Sequence, residues 1–351
     1  MSKVYIGIDL AAKCCWGAAR DEEGELLNSE KFKTSEKNLV AYVEARGGEA
    51  TVLLEECDLA GWAQRVLIGH AEKVAVCEPR ANLWIHRDAV KTDKIDAAKL
   101  ADIARLGNYK EVYHTQDERI YELQVAVRAY DRLVARATAQ KNQIKAELRG
   151  EGVICEGARV FGKRGREEAL GMVRSPLLRE VIAAEYEYLD FLLRSQAGAR
   201  GRFVRLGSEI GIVRAWQEIP GVGPVTAARF CACIKCPHRF AKKGQLSRYS
   251  RLGVTQHETG GKAIRRQRLD PSGCGALKDV SNKAFRAALR TRGDNLTKRA
   301  YARSLAVTGS EDHARLNVQR KILAIMWAMW RDGTAYDDDM DMKNGACGAR
   351  L

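Results

Sequence analysis

The chain has 351 residues, with 59 Lys/Arg against 45 Asp/Glu, a formal net charge of +14 and ten cysteines. That length suits two or three domains with a sizeable core. No apolar run is long enough for a bilayer span and no signal-peptide pattern opens the chain, while unpaired cysteine spacing inside apolar segments suits reduced thiols, so a cytoplasmic protein without a membrane partner is expected.

Residues 1–112 hold 16 Lys/Arg and 19 Asp/Glu, a slightly acidic part of a basic chain. Tyr5-Ile6-Gly7-Ile8-Asp9 reads as a buried strand closed by an acid, and Thr51-Val52-Leu53-Leu54-Glu55 as a second. Between them Trp16–Arg20 and Leu26–Phe32 form a hairpin around Asp21-Glu22-Glu23-Gly24, followed by a helix near 36–46. A helix near 60–69 and a strand at Val74–Cys77 come next. In Lys91-Thr92-Asp93-Lys94-Ile95-Asp96-Ala97 the two acids open a helix and, three apart, share one face. A hairpin first and alternation afterwards predicts a mixed sheet covered by helices.

Acids at strand ends and on a crossing helix converge only when something neutralises them. A pair of Mg²⁺ ions about 4 Å apart does so and can hold the attacking and leaving oxygens of a phosphodiester. Asp9, Glu55, Asp93 and Asp96 therefore form a candidate two-ion site, the acid pattern of RNase H-like nucleases and recombinases. Taken singly, Asp93 is also explained by the helix dipole and Glu55 by an exposed Glu55-Glu56 pair. Only one of that pair can face Asp9, because alternate side chains point opposite ways.

Residues 118–215 read as long helices. Leu123, Val127, Tyr130, Val134, Ala137, Ile144 and Leu148 alternate by fours and threes, with Lys141 filling the remaining seam position. Leu178, Ile182, Glu185, Leu189, Leu192, Gln196, Ala199, Phe203, Leu206, Ile210 and Val213 do the same. Such spacing indicates coiled coil or the helices of a bundle, paired within one chain or between chains. The Gly- and Arg-rich stretch from Gly157 to Gly171 reads as a loop or turn.

Ile219-Pro220-Gly221-Val222-Gly223-Pro224, ahead of a new helix, has the form of a helix-hairpin-helix. Gly221 and Gly223 allow close backbone approach, and the following amides suit a DNA phosphate. Cys231, Cys233 and Cys236 lack a second knuckle and read as small buried hydrophobes rather than zinc ligands. Within 239–303 there are 17 basic residues and 4 acidic ones, which a polyphosphate partner explains. The acidic tail, Asp337-Asp338-Asp339-Met340-Asp341, is expected to be disordered.

The whole chain resembles the DEDD transposases of bacterial insertion sequences, related to the Piv DNA invertase and including members guided by a bridge RNA. The resemblance rests on Ile6-Gly7-Ile8-Asp9, Leu54-Glu55-Glu56-Cys57, Lys91-Thr92-Asp93-Lys94-Ile95-Asp96-Ala97 and Ile219-Pro220-Gly221-Val222-Gly223. It continues through Arg239-Phe240, Leu252-Gly253-Val254, Gly260-Gly261-Lys262 and Ala314–Lys321, in family order over roughly residues 3–336. The family's Glu stands two residues before a position often held by Cys, which selects Glu55.

The resemblance implies a RuvC-like α/β domain (1–112) in which Asp9, Glu55, Asp93 and Asp96 hold Mg²⁺. A coiled-coil region (113–215), a mainly helical transposase domain (216–336) and a tail (337–351) would follow. It also implies DNA and a guide RNA as partners, a homodimer or homotetramer, and a nucleophilic serine before the Gly-Gly turn. That place holds Thr259, whose hydroxyl can serve as a nucleophile although its methyl crowds in-line attack. Ser272, in Asp270-Pro271-Ser272-Gly273, is the alternative, with an ordinary turn serine as its plainer reading. Lys262, Arg265, Arg266 and Arg268 would steady phosphate charge beside it. Competing functions are a junction nuclease using the carboxylates alone and a nucleic-acid-binding derivative without chemistry. An actin-like kinase is set aside, because Ala11, Ala12 and Lys13 supply no phosphate-binding turn after Asp9.

Overall fold

The structure, a computed structural model, describes residues 2–47, 49–78, 92–255, 258–259, 262–263 and 268–339. It divides into two compact units, Met1–Gln116 and Asp117–Leu351.

The first unit is built on a five-stranded mixed sheet in the order β3-β2-β1-β4-β5. The strands are β1 (Lys3–Asp9), β2 (Cys14–Arg20), β3 (Leu26–Lys33), β4 (Glu49–Glu55) and β5 (Lys73–Cys77). β1 to β3 form an antiparallel meander, whereas β4 and β5 join β1 in parallel. This is an RNase H-like α/β arrangement. Period-2 alternation sorts the strand side chains between two helical layers. Ile6, Ile8, Val52, Leu54 and Val76 pack with Leu39 and Val43 of α1 (Glu36–Glu44) and Ala63 and Leu67 of α2 (Ala60–Leu67). Tyr5, Leu53, Ala75 and Cys77 pack with Leu100, Ile103 and Ala104 of α3 (Asp93–Leu106) on the other side. Every strand and helix expected for this part is present within a few residues of its expected limits.

The second unit opens with two 33-residue helices, α4 (Glu118–Gly150) and α6 (Pro176–Ser208), paired antiparallel within the chain. Ala137, Ile144 and Leu148 meet Ile182, Leu189 and Leu192 in one cluster, as the heptad seam requires. Two polar seam residues have specific partners. The Glu185 carbonyl (at 3.2 Å) and carboxylate accept from Gln140, 8% exposed, and the Lys141 ammonium lies 5.4 Å from the centre of the Phe161 ring.

Three expectations are corrected here. The segment 157–171 is not all loop, because α5 (Lys163–Met172) forms within it. Its Ala169, with Val160 and Val173, joins the apolar cluster of the helical pair, and Arg166 grips Asp190 with two bonds of 2.6 Å. The second seam does not run on as one helix to Val213. α6 stops at Ser208 and a short α7 (Gly211–Ala215) follows, since Gly207, Ser208 and Gly211 are poor helix formers. The acidic tail is ordered through Asp339. The Asp338 carboxylate accepts the Leu296 amide at 3.0 Å and the Tyr336 hydroxyl at 2.6 Å, and pairs with Arg299 at 2.9 Å.

The other helices are α8 (Pro224–Ile234), α9 (Lys243–Tyr249), α10 (Gly275–Arg290), α11 (Leu296–Thr308) and α12 (Glu311–Asp332). They share one core with the base of the long pair, where Leu123 and Phe203 join Trp216, Phe230 and Met326. Segments 113–215 and 216–336 are thus continuous through that core. Arg229, 7% exposed, ties α8 to α4 through Asp131 at 3.0 Å and to α10 through Asp279 at 2.6 Å. Among the described residues no helix is long and apolar enough to cross a membrane.

Candidate active site and nucleic-acid interface

Two glycines set the close approaches on which the candidate sites depend. In β1, a Cβ on Gly7 would overlap the Ala97 carbonyl oxygen and the Ala101 amide nitrogen, so only glycine lets α3 lie against the strand backbone. Asp9, two residues further on, takes the same face. Its antiparallel partner Trp16 confirms the side, since Trp16 packs against the Ala18, Ala97 and Ala101 cluster. On β4, Leu53 faces α3, and therefore so does Glu55. Ile8 lies beside Leu54 in the parallel register, which makes Asp9 and Glu55 the next residues on neighbouring strands, spaced about 4.8 Å apart.

Glu56 points the other way and is engaged there, with its carboxylate 2.6 Å from His114 Nε2.

The direction of α3 follows from its far end. Asp102 pairs with Arg20 at 3.0 Å, and Arg20 sits across from Tyr5, toward the beginning of β1. α3 therefore runs against β1, and its first turn stands over the mouth where β1 and β4 end. Thr92 caps that turn by accepting the Ile95 amide at 3.3 Å. Asp96 is 6% exposed, while Asp93, one turn earlier at the open end of the same face, is exposed. One carboxylate oxygen each of Glu55 and Asp96 is sealed from solvent. Among the described residues, no three His, Cys, Asp or Glu side chains are gathered tightly enough to hold a metal ion. The acids share a mouth without forming a closed cage.

In the second unit, Gly221 has φ +87°, and a Cβ there would overlap the Ala284 carbonyl oxygen and the Ala288 amide nitrogen of α10. That packing alone accounts for glycine at 221. Gly223 precedes α8, with open space around it. Cys231 is fully buried, in keeping with the small-hydrophobe reading.

Two short antiparallel pairs follow: β6 (Val254–Thr255) with β9 (Arg268–Leu269), and within them β7 (Glu258–Thr259) with β8 (Lys262–Ala263). Thr259 and Lys262 are register partners in the inner pair. Gly260, Gly261, Arg265 and Arg266 lie outside the described residues. Arg268 is exposed on β9, and its carbonyl accepts the Thr255 hydroxyl at 3.1 Å. The ribbon base is anchored where Arg320 donates to the Leu252 carbonyl at 2.8 Å and the Asp270 amide to the Gly253 carbonyl at 2.9 Å. Ser272 donates both its hydroxyl and its amide to the Asp270 carboxylate, and these bonds hold that carboxyl below its usual range.

A cleft of about 870 Å³ opens between α10 and the start of α12, lined by Arg251, Lys278, Asn282, Arg286 and Gln319 among others. These residues are not in the stretch 262–268 where the sequence concentrated its phosphate contacts. The available signal was Lys278, Asn282 and Arg286 spaced by fours along one helix.

An RNase H-like sheet with acids closing its two central strands, joined to a helical unit with a helix-hairpin-helix, defines the DEDD class of transposases. The comparisons with known proteins make this specific. Residues 6–151 match the transposase family model for the DEDD domain of IS110, and residues 213–302 match that of the transposase IS116/IS110/IS902 family. The chain is 24% identical over 333 residues to the transposase for insertion sequence element IS1111A of Coxiella burnetii, covering 92% of this chain and 88% of that one. The chain belongs to the IS110 family of DEDD transposases, and DNA is its substrate.

Proposed function

We propose that this transposase cleaves and rejoins DNA strands to excise and insert a mobile element, using Asp9, Glu55, Asp93 and Asp96 as the ligands of a Mg²⁺ pair. One observation carries the reading: Asp9 and Glu55 end adjacent parallel strands on the face covered by the first turn of α3, which bears Asp93 and Asp96. All-oxygen carboxylate donors suit a hard divalent cation, and the sealed oxygens of Glu55 and Asp96 provide low-dielectric positions for one. Bound there, such ions would neutralise charge on the attacking and leaving oxygens of a phosphodiester. The chain's own part is orientation. Gly7 lets α3 sit close, and the Thr92 cap holds the turn that carries two of the acids.

Thr259 stands where the family carries serine, and its hydroxyl is the attacking group of this reading. Lys262, its register partner, and Arg268 on β9 add positive charge, as Arg265 and Arg266 do in the sequence. Guidance by an RNA is supported by the resemblance to the bridge-RNA group and by the basic excess of residues 239–303. A cytoplasmic homodimer or homotetramer completes the proposal.

The test is strand transfer on a donor–target DNA pair by protein purified with its co-expressed nucleic acid, whose sequencing identifies the guide. Asp9→Asn should abolish transfer and leave nucleic-acid binding intact. Transfer that survives Asp9→Asn places the chemistry elsewhere. A second reading, a binding protein without chemistry, is favoured by threonine in the serine's place and predicts no transfer even from the unmodified chain.

A further inference from the structure

We infer that the cleft between α10 and the start of α12 holds a single-stranded nucleic-acid segment, with Arg251, Lys278 and Arg286 on its phosphates and Asn282 facing a base. The inference rests on the transposase reading and adds to it a location and a strand type.

The charge of the cleft is decided by which groups are already committed. Asp279 is taken by Arg229 at 2.6 Å and Lys283 at 2.8 Å, and Asp312 by Arg315 at 2.7 Å. Asp270 accepts from Ser272 and lies 3.5 Å from Arg248. Arg251, Lys278 and Arg286 make no ion pair among the described residues. The uncommitted charge is therefore positive, which suits an anion held by several points.

Spacing and volume select a strand. Lys278 and Arg286 lie eight residues apart on one face of α10, about 12 Å along its axis, the length of roughly three to four stacked nucleotides at 3.4 Å each. A volume of about 870 Å³ is that of a small-ligand cleft. It accommodates a few nucleotides and not a duplex turn.

The walls are held in advance. Gln319 on the floor is 2% exposed; it donates to Asn282 Oδ1 at 3.2 Å and accepts the Ser281 hydroxyl at 3.4 Å. With its oxygen engaged, Asn282 is left with its amide nitrogen for a base edge. Arg251 has φ +56°, a left-handed conformation that costs a non-glycine residue free energy and is kept only where the surroundings enforce it. Its Nε donates to the Gly273 carbonyl at 3.0 Å, which leaves the two terminal nitrogens of the guanidinium fork for a phosphate. Among the described residues no Phe, Tyr or Trp ring lines the cleft, so recognition runs through phosphates and amides rather than base stacking.

The experiment measures binding of the full chain, in EDTA, to fluorescein-labelled single-stranded DNA, single-stranded RNA and duplex DNA of one sequence over a salt series. In the Lys278→Ala/Arg286→Ala double variant, single-strand affinity should fall about tenfold or more. The salt slope should become shallower by about 1.4, at 0.7 per phosphate lost, while duplex binding is unchanged. Whichever strand, DNA or RNA, shows this loss supports the cleft and names its source. Unchanged single-strand affinity, or an equal loss on the duplex, overturns the inference. Should the double variant melt early, ultraviolet crosslinking of the unmodified chain replaces it. Crosslinked peptides from 275–290 and 311–320 support the cleft, and crosslinks confined to other segments overturn it. Because no catalysis is read, absent strand transfer with intact cleft binding sinks the transposase chemistry alone. Unchanged single-strand affinity, or an equal loss on single strand and duplex, with intact transfer sinks only the cleft.

Discussion

The carbonyl oxygen of Ala97 lies so close to Gly7 that a single added methyl group on the strand would overlap it. The contact sets the depth at which α3 docks, and Asp96 is the residue immediately before Ala97. Gly7→Ala should force helix and sheet apart at a cost of about 1–3 kcal/mol, the usual range for overpacking. Urea unfolding reads that loss, and strand transfer should fall with it. A Gly7→Ala chain with undiminished stability and activity would show that α3 does not dock on β1 as described.

Glu55 and Glu56 are neighbours with opposite orientations, so they should respond differently to the same change. Glu55→Gln should lower strand transfer roughly 100-fold or more, as loss of several kcal/mol of charge stabilisation implies. Glu56→Gln weakens only the partly exposed pair with His114 and should cost no more than about 1 kcal/mol. Kinetic comparison of the two variants decides the assignment, and equal losses would defeat it.

Thr259 and Ser272 are separated by a trapping assay on nicked or suicide DNA substrates. Thr259→Val keeps the shape and removes the hydroxyl, so a covalent protein–DNA adduct formed by the unmodified chain should vanish. Ser272→Ala should leave the adduct, because the Ser272 hydroxyl is spent on Asp270 within its own turn. The opposite pattern would make Ser272 the nucleophile.

Cys274 offers a pH-dependent probe of the α10 start. A hydrogen bond from the Cys233 thiol, opposed by burial and assisted by the Leu277 and Ala276 amides, draws the Cys274 thiol down to about 6. Thiolate is the reactive form, so alkylation of Cys274 by iodoacetamide should be slow below that value and level off above it. Mass spectrometry of the labelled peptide follows the titration. Cys233→Ala should move the midpoint upward, and an unmoved midpoint would mean that Cys233 is not the cause.

The first unit was legible because each of its strands carries its own signal. Ile6 and Ile8 alternate with Gly7 and Asp9, and Glu55 closes a similar run, so local pattern alone identified the strands and the acids at their ends. The face that Glu55 takes was not local. It follows from Leu53 packing on α3, a helix nearly fifty residues away in the chain. The helix at 163–172 was not legible because Gly165 and Gly171 oppose helix formation taken alone. Burial of Ala169 against the long helices outweighs that preference.

By itself the sequence determined the order of elements in the first unit, the four acids, the heptad seams, the helix-hairpin-helix and the basic excess that points to nucleic acid. All of these are written in residues within a few turns or strand lengths of one another. Only the tertiary structure decided that Gly221 answers to Ala284 and Ala288, that the Asp338 region is held by Leu296 and Arg299, and that Arg251, Lys278 and Arg286 line one cleft. Those contacts join residues tens of positions apart. Their pairing is selected by packing and by the cost of unpaired buried charge, and neither quantity exists until the chain has folded.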